Sequence, residues 1–311
     1  MAVMVGFFLR GMLLMFAISA SVTSVAAVAE DKMMFRMIDG DGGVPLRVVE
    51  TGNPDGPAIL FIHGMAQSTL SFERQLNSDL AKRFRLVAFD LRGHGGSAKP
   101  WRSSDYAGSR VWAADVAAVI EALELRDVTI VGWSFGGYVA VSYLRHYGDD
   151  RVRGLNLVGT SAGLVEFQPP KNSSVEKVTG NPDSVARRSS LDLAERVAAM
   201  HEFPDLLTAE PMEPDDRDAS FHSGIMLPAY ALRLFDKLPL DNKDLPERLT
   251  LPTLISMGTL DIGMDVPSAR RLDLALPNSE LSLFDGIGHF PAYESTERYN
   301  QELADFVSRC D

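Results

Sequence analysis

Cysteine is almost missing from this chain of 311 residues: there is one, Cys310, beside the C-terminal residue. An intrachain disulfide is therefore excluded, and a thiol so close to a terminus is a poor nucleophile or metal ligand. No H-E-x-x-H and no paired C-x-x-C occurs, so the common zinc-site spacings are missing. No G-x-G-x-x-G or P-loop follows a strand-like run, and the glycine-rich stretch Gly93 to Gly96 lacks the Lys-Ser/Thr that would hold a phosphate. No cofactor and no metal are expected. Basic residues are in deficit, with 30 Lys and Arg against 42 Asp and Glu and a formal charge of −12. Without surplus cations to displace counterions, nucleic acid is an unsuitable partner. No internal repeat of 20 to 50 residues is visible, which argues against a solenoid or propeller.

What remains is an ordinary globular composition, 46% apolar, in a chain long enough for a large core and one or two domains. Residues 1–29 differ in kind. Arg10 precedes an apolar run from Met12 to Ile18, and a small-residue stretch closes on Ala27-Val28-Ala29 ahead of Glu30-Asp31. That is the layout of a cleaved signal peptide, so a secreted or periplasmic protein without stable membrane association after its removal is expected; the alternatives are an uncleaved membrane anchor and a start codon placed too early in a cytoplasmic protein.

Phe35 to Ile38 and Leu46 to Glu50 alternate as two antiparallel strands around a Gly-rich turn. Ala58 to Ile62, Leu86 to Phe89, Val128 to Val131, Gly154 to Val158, Pro252 to Gly258 and Leu281 to Phe284 read as further strands. Several are continuous apolar runs, as burial on both faces of a parallel sheet requires. Helices are expected over Ser71 to Lys82, Arg110 to Leu123, Gly137 to His146, Pro267 to Leu276 and Glu294 to Ser308. The alternation predicts an α/β fold with a mostly parallel sheet, helices on both faces, and ligands beyond the carboxyl ends of the strands. It lapses over 163–250, where helices at Ser184 to Met200 and Gly224 to Lys237 flank an acidic connector, Glu210 to Asp218. The expected organisation is a catalytic unit, 30–162 with 251–311, and a helical cap insertion over 163–250.

Within this pattern, Thr129 to Val141 reads T-I-V-G-W-S-F-G-G-Y-V-A-V. A β-branched run meets G-x-S-x-G, and a helical pattern follows at once. This places Ser134 on a sharp strand-to-helix turn, with glycines at 132 and 136 where side chains would crowd the crossing. Four other features stand in register with it: His63-Gly64-Met65 after a buried strand, the loop Asp90 to Ser97 (D-x-R-G-H-G-x-S), Gly258-Thr259-Leu260-Asp261, and Gly288-His289-Phe290. With these five features the chain resembles the α/β-hydrolase superfamily along nearly all its length beyond residue 29. The resemblance implies Ser134 as nucleophile, Asp261 as triad acid, His289 as base, and an oxyanion hole from the backbone N–H groups of Met65 and Phe135.

The residue types suit that chemistry. A serine hydroxyl needs a neighbouring imidazole to take its proton, and a carboxylate on the other ring nitrogen fixes the tautomer and stabilises the imidazolium. Asp265 and Asp285 are the rivals of Asp261 for the acid. Among the other histidines, His63 is expected to bond local backbone, His94 to belong to a structural loop and His146 to a helix end; His201 and His222 belong to the insertion.

A serine nucleophile departs from dehalogenase and epoxide-hydrolase relatives, which use aspartate, and Gly132-Trp133-Ser134-Phe135-Gly136 departs from the G-G-x-S-W-G turn of proline iminopeptidases. The expected activity is cleavage of a carboxylic ester or related acyl compound. The alternatives are a meta-cleavage C–C hydrolase, a cofactor-free haloperoxidase- or perhydrolase-like enzyme, and a non-catalytic relative that only binds a ligand. The expected partner is a mostly apolar small molecule, with Met226, Tyr230 and Phe235 as candidate pocket residues. The insertion supplies no concentrated positive charge, although Arg187, Arg188 and Arg233 could individually reach a substrate carboxylate.

Overall fold

The computed structural model describes residues 33–166, 183–235, 238 and 240–310. The signal expected over 1–29 lies outside them, as do Gln168-Pro169-Pro170 and Asn181-Pro182.

Among the described residues, eight strands form one sheet: β1 (Met34–Asp39), β2 (Pro45–Gly52), β3 (Ala58–Ile62), β4 (Arg85–Phe89), β5 (Val128–Trp133), β6 (Val152–Val158), β7 (Thr253–Gly258) and β8 (Ser279–Phe284). Their spatial order is β1-β2-β4-β3-β5-β6-β7-β8. β1 pairs antiparallel with β2 and β2 with β4, while every pair from β4 to β8 is parallel. The fully apolar runs occupy the middle: every residue of β3 and β5 is buried, whereas β1 at the edge is mostly exposed.

Alternation along the strands divides the core into two layers. Leu60, Ile62, Val128 and Ile130 face one side, where they meet Trp112, Val116 and Val119 of α2 (Ser109–Ala122) and Val139 of α3 (Phe135–Tyr147). Ile59, Phe61, Val131 and Trp133 face the other, against Tyr299, Leu303 and Phe306 of α10 (Thr296–Arg309). Because both faces are covered by helices, the strands can be apolar throughout.

The remaining helices are α1 (Glu73–Leu76), α4 (Asp183–Arg188), α5 (Leu193–Glu202), α6 (Pro214–Met226), α7 (Ala229–Phe235), α8 (Val266–Ala275) and α9 (Pro291–Glu294). Three expected helices are broken. Ser71 to Lys82 resolves into two 3₁₀ turns around α1, because the Ser78 hydroxyl accepts from Leu80 N at 3.2 Å and starts a new turn. Ser184 to Met200 is interrupted before Asp192, whose carboxylate caps α5 by accepting from Ala194 N at 2.9 Å and Glu195 N at 3.3 Å. Gly224 to Lys237 is two helices, because Pro228 cannot continue α6; Lys237 lies outside the described residues. The acidic connector, in turn, is largely helix. Pro214 opens α6, where a missing N–H costs nothing, and Asp215 and Asp216 face the positive end of its dipole.

α4 to α7 lie between β6 and β7, with no strand among the described residues there, so an inserted helical region interrupts the sheet sequence. Of its apolar residues, Met200, Leu227 and Phe235 are buried, whereas Leu191 and Met226 are exposed.

Candidate active site

Ser134, Asp261, His289 and the His63 to Met65 turn all follow the carboxyl ends of parallel strands: β5, β7, β8 and β3. Ser134 has φ 53° and ψ −117° and stands directly before α3. A non-glycine residue in that region is strained, and it persists because its surroundings leave no alternative. β5 must turn into α3 against β3, so a Cβ on Gly136 would stand 2.0 Å from the carbonyl oxygen of Ile62.

A similar close approach unites the other two loops. At Gly258, the end of β7, a Cβ would lie 2.1 Å from the carbonyl oxygen of Gly288. That contact brings Asp261 beside His289 although 28 residues separate them, with Nδ1 of His289 2.9 Å from Oδ1 of Asp261. The same oxygen accepts from Gly263 N at 2.6 Å and Met264 N at 3.3 Å, which holds the carboxylate still. From β5, the Trp133 indole N–H donates to the carbonyl oxygen of His289 at 3.0 Å, and its ring stacks on Phe290 at 3.7 Å. The imidazole is therefore fixed from its ring and from its backbone.

Burial disfavours the protonated form of His289. The Asp261 charge, its hydrogen bond and the Glu294 charge outweigh that effect, so the His289 pKa is raised above its ordinary 6.5.

Ser134 and His289 line one cavity of about 300 Å³, together with Met65 and Phe135. As the first residue of α3, Phe135 has an N–H with no acceptor inside the helix. Met65 occupies the turn closed by Gln67 N donating to Gly64 O at 3.2 Å, and its own N–H lies outside that bond. Trp133, Thr160, Ser161, Ile262 and Met264 line the rest of the catalytic-strand side.

The insertion contributes Arg188, Phe203, Leu206, Leu207 and Leu240. Met226, Tyr230 and Phe235, the expected pocket residues, are not among the residues that line this cavity. Met226 is exposed at the end of α6. Tyr230 stacks on Trp101 at 5.3 Å and donates its hydroxyl to Lys99 O at 2.9 Å. Phe235 packs 5.1 Å from both Trp112 and Phe135, one layer behind the cavity wall. The apolar spacing of α7 marks a buried face, but not which buried face.

The rivals for the acid role bond elsewhere. Asp265 caps α8 by accepting from Ser268 N at 2.9 Å, and Asp285 accepts from the Thr259 hydroxyl at 3.2 Å. His63 bonds backbone on both nitrogens, Gly64 O at 2.7 Å and Leu91 N at 3.0 Å. His94 bonds Arg92 O at 3.0 Å, and burial, then the neighbouring His63, pushes its pKa down to about 3. His146 pairs with the Ser109 hydroxyl at 2.8 Å, and His201 stacks on Phe221 at 3.9 Å; neither they nor His222 line the cavity. Among the described residues, no three His, Cys, Asp or Glu side chains converge as a metal site requires.

The profile of the alpha/beta hydrolase fold family matches residues 57–296. The chain is 30% identical over 267 residues to the AB hydrolase superfamily protein YisY of Bacillus subtilis, covering 85% of this chain and 95% of that one. It is 26% identical over 268 residues to the non-heme chloroperoxidase CPO-A1 of Kitasatospora aureofaciens, covering 82% and 93%. Among solved structures, the esterase RhEst1 from Rhodococcus superposes with a TM-score of 0.78 at 29% identity, over 89% of this chain and 99% of that one. With the parallel sheet, the serine on its strand-to-helix turn and the helical insertion between β6 and β7, these matches make the chain a member of the α/β-hydrolase superfamily.

Proposed function

We propose that the protein is a serine hydrolase that cleaves a carboxylic ester or related acyl substrate through an acyl-enzyme on Ser134. The observation that carries this reading is the His289–Asp261 contact in the wall of the cavity that also holds the strained Ser134. The Ser134 hydroxyl oxygen attacks the carbonyl carbon while Nε2 of His289 takes its proton. The N–H groups of Met65 and Phe135 donate to the oxyanion that forms. The tetrahedral intermediate collapses, the C–O bond to the alcohol breaks, and His289 returns the proton to the departing oxygen. Water then repeats the sequence and releases the acid and free Ser134.

Attack requires neutral His289, and its pKa stands above 6.5. kcat/KM is therefore expected to fall as pH drops, with the midpoint above the free imidazole value. A profile between about pH 5 and about pH 9 with a soluble p-nitrophenyl ester measures this. A midpoint below 6.5 would mean that Asp261 and Glu294 do not hold the imidazolium as the geometry implies.

Phe203, Leu206 and Leu207 supply an apolar wall opposite the catalytic loops, which supports a mostly apolar acyl group. Each buried methylene contributes about 0.8 kcal/mol, so kcat/KM should rise by up to about fourfold per methylene until the cavity is full. Comparing acetyl through dodecanoyl esters tests this, and Phe203→Ala should move the optimum to longer chains. A flat profile that Phe203→Ala and Leu207→Ala leave unchanged would remove this wall from the acyl site. A vinylogous dienol-ketone acid belongs in the panel, since its cleavage with inert esters would favour C–C hydrolysis.

A further inference from the structure

The turn that carries His289 is held by a carboxylate outside the expected triad. Glu294, the last residue of α9, accepts from Gly288 N at 2.9 Å on Oε1 and from Ala209 N at 2.7 Å on Oε2. Gly288 immediately precedes His289. Ala209 belongs to the insertion and lies two residues beyond Leu207 of the cavity wall. One side chain thus bridges the base turn and the roof, with each oxygen on a different element.

Adjacent contacts run in the same direction. The Tyr293 hydroxyl accepts from Glu213 N at 3.0 Å. Arg74 lies 4.0 Å from the Tyr293 ring and bonds Asp216 at 2.8 Å. The two backbones meet without a spacer, since a Cβ on Gly288 would stand 2.5 Å from Ala209 N. A helix cap does not account for the Glu294 side chain, because Ala209 is 85 residues away. Hydrogen bonds to an ionised acceptor are also stronger than neutral ones.

Resting on the serine-hydrolase reading, we propose that Glu294 is a positioning residue whose carboxylate straps the pocket-lining segment 203–209 to the base turn, so that docking of this segment sets where the His289 imidazole stands. The segment that touches the acyl group and the group that moves the proton then share one support. A roof displaced by an ill-fitting substrate misplaces the base, so the strap links selectivity to kcat as well as to KM.

Two charged groups bear on His289, Asp261 from the loop after β7 and Glu294 from α9, while Arg188 lines the same cavity. Trp133 of β5 contributes only its neutral N–H. Burial opposes protonation of His289, and Asp261 followed by Glu294 favours it. Removing the Glu294 charge should therefore lower the pH at which His289 titrates.

The experiment compares Glu294→Gln and Glu294→Asp with the unsubstituted protein by steady-state kinetics, NMR titration of the His289 ring and thermal melting. Glu294→Gln should reduce kcat by about 5- to 100-fold, the scale for a displaced catalytic group, and move the His289 midpoint down. Glu294→Asp keeps the charge but is too short to reach both N–H groups. It should lose kcat while its midpoint stays nearer the original, and it serves as the test if Glu294→Gln does not fold. An unchanged kcat and midpoint, or a loss explained wholly by a smaller folded fraction, would overturn the strap. A Ser134→Ala control separates the two readings. If hydrolysis does not depend on Ser134, the serine-hydrolase reading fails, while an unmoved His289 midpoint in Glu294→Gln overturns the strap independently.

Discussion

Ser134→Ala is expected to lower kcat/KM for p-nitrophenyl butyrate by about 10⁴-fold or more with almost no change in Tm. Alanine keeps the Cβ, so the backbone at φ 53° bears the same strain in both proteins, and the fold gives up only one hydroxyl. What disappears is the atom that bonds to the carbonyl carbon. Ile262, Met264 and Leu207 are apolar, and Thr160 and Ser161 lack the strand-to-helix turn that exposes Ser134. His289→Ala should be nearly as severe, and the double variant little worse than either single one, because nucleophile and base act as a unit. A rapid burst of p-nitrophenol followed by slower turnover in the unsubstituted protein would report the acyl-enzyme directly. Equal rates with and without Ser134 would transfer the activity to another residue.

Asp261→Asn is the second large effect, with an expected loss of about 10³- to 10⁴-fold in kcat. Asparagine can still accept from Gly263 N and Met264 N, so the loop after β7 should hold its shape. It cannot offer a negative charge to the imidazolium that forms as Ser134 is deprotonated. The acid limb of the pH profile should also move down, because the Asp261 charge is the chief influence raising the His289 pKa against burial. Asp265→Asn and Asp285→Asn are the controls. Asparagine can still cap α8 in the first and still accept from the Thr259 hydroxyl in the second, so both should leave stability almost unchanged; neither touches His289. Three equal and small losses would show that Asp261 does not serve as the acid.

These contrasts also show how far the sequence could be read. The strand-to-helix turn at Ser134 is a local event, written in adjacent residues: β-branched side chains before it, a glycine on each side and small residues after. His63, buried and bonded to backbone, likewise stands where its position at the end of an apolar run suggested. Helix ends in the insertion were harder to see. Pro214 and Pro228 are both visible, yet apolar spacing suggests one helix across Pro228, and acidic composition suggests a connector across Pro214. Backbone chemistry decided otherwise: a proline suits a first turn and interrupts an interior.

The cavity wall was the least legible part. A periodic apolar face states that a helix buries one side, without naming the partner, and several partners of similar energy are available to any such face. For Phe235 the winning partner is the cluster of Trp112 and Phe135, reached only when the whole chain is assembled. Phe203 and Leu207 line the cavity instead, from a short irregular segment with no periodicity of its own.

By itself, then, the sequence determined the alternation of strands and helices, the serine on its strand-to-helix turn, and the loops on which Asp261 and His289 ride, because each depends on backbone rules that act within a few residues. Tertiary structure alone decided that Asp261 Oδ1 meets His289 Nδ1, that Glu294 reaches Ala209 across 85 residues, and which side chains wall the cavity. Those outcomes depend on the close approach of Gly258 to Gly288 and on competition among buried faces, and both are settled only when distant segments pack together.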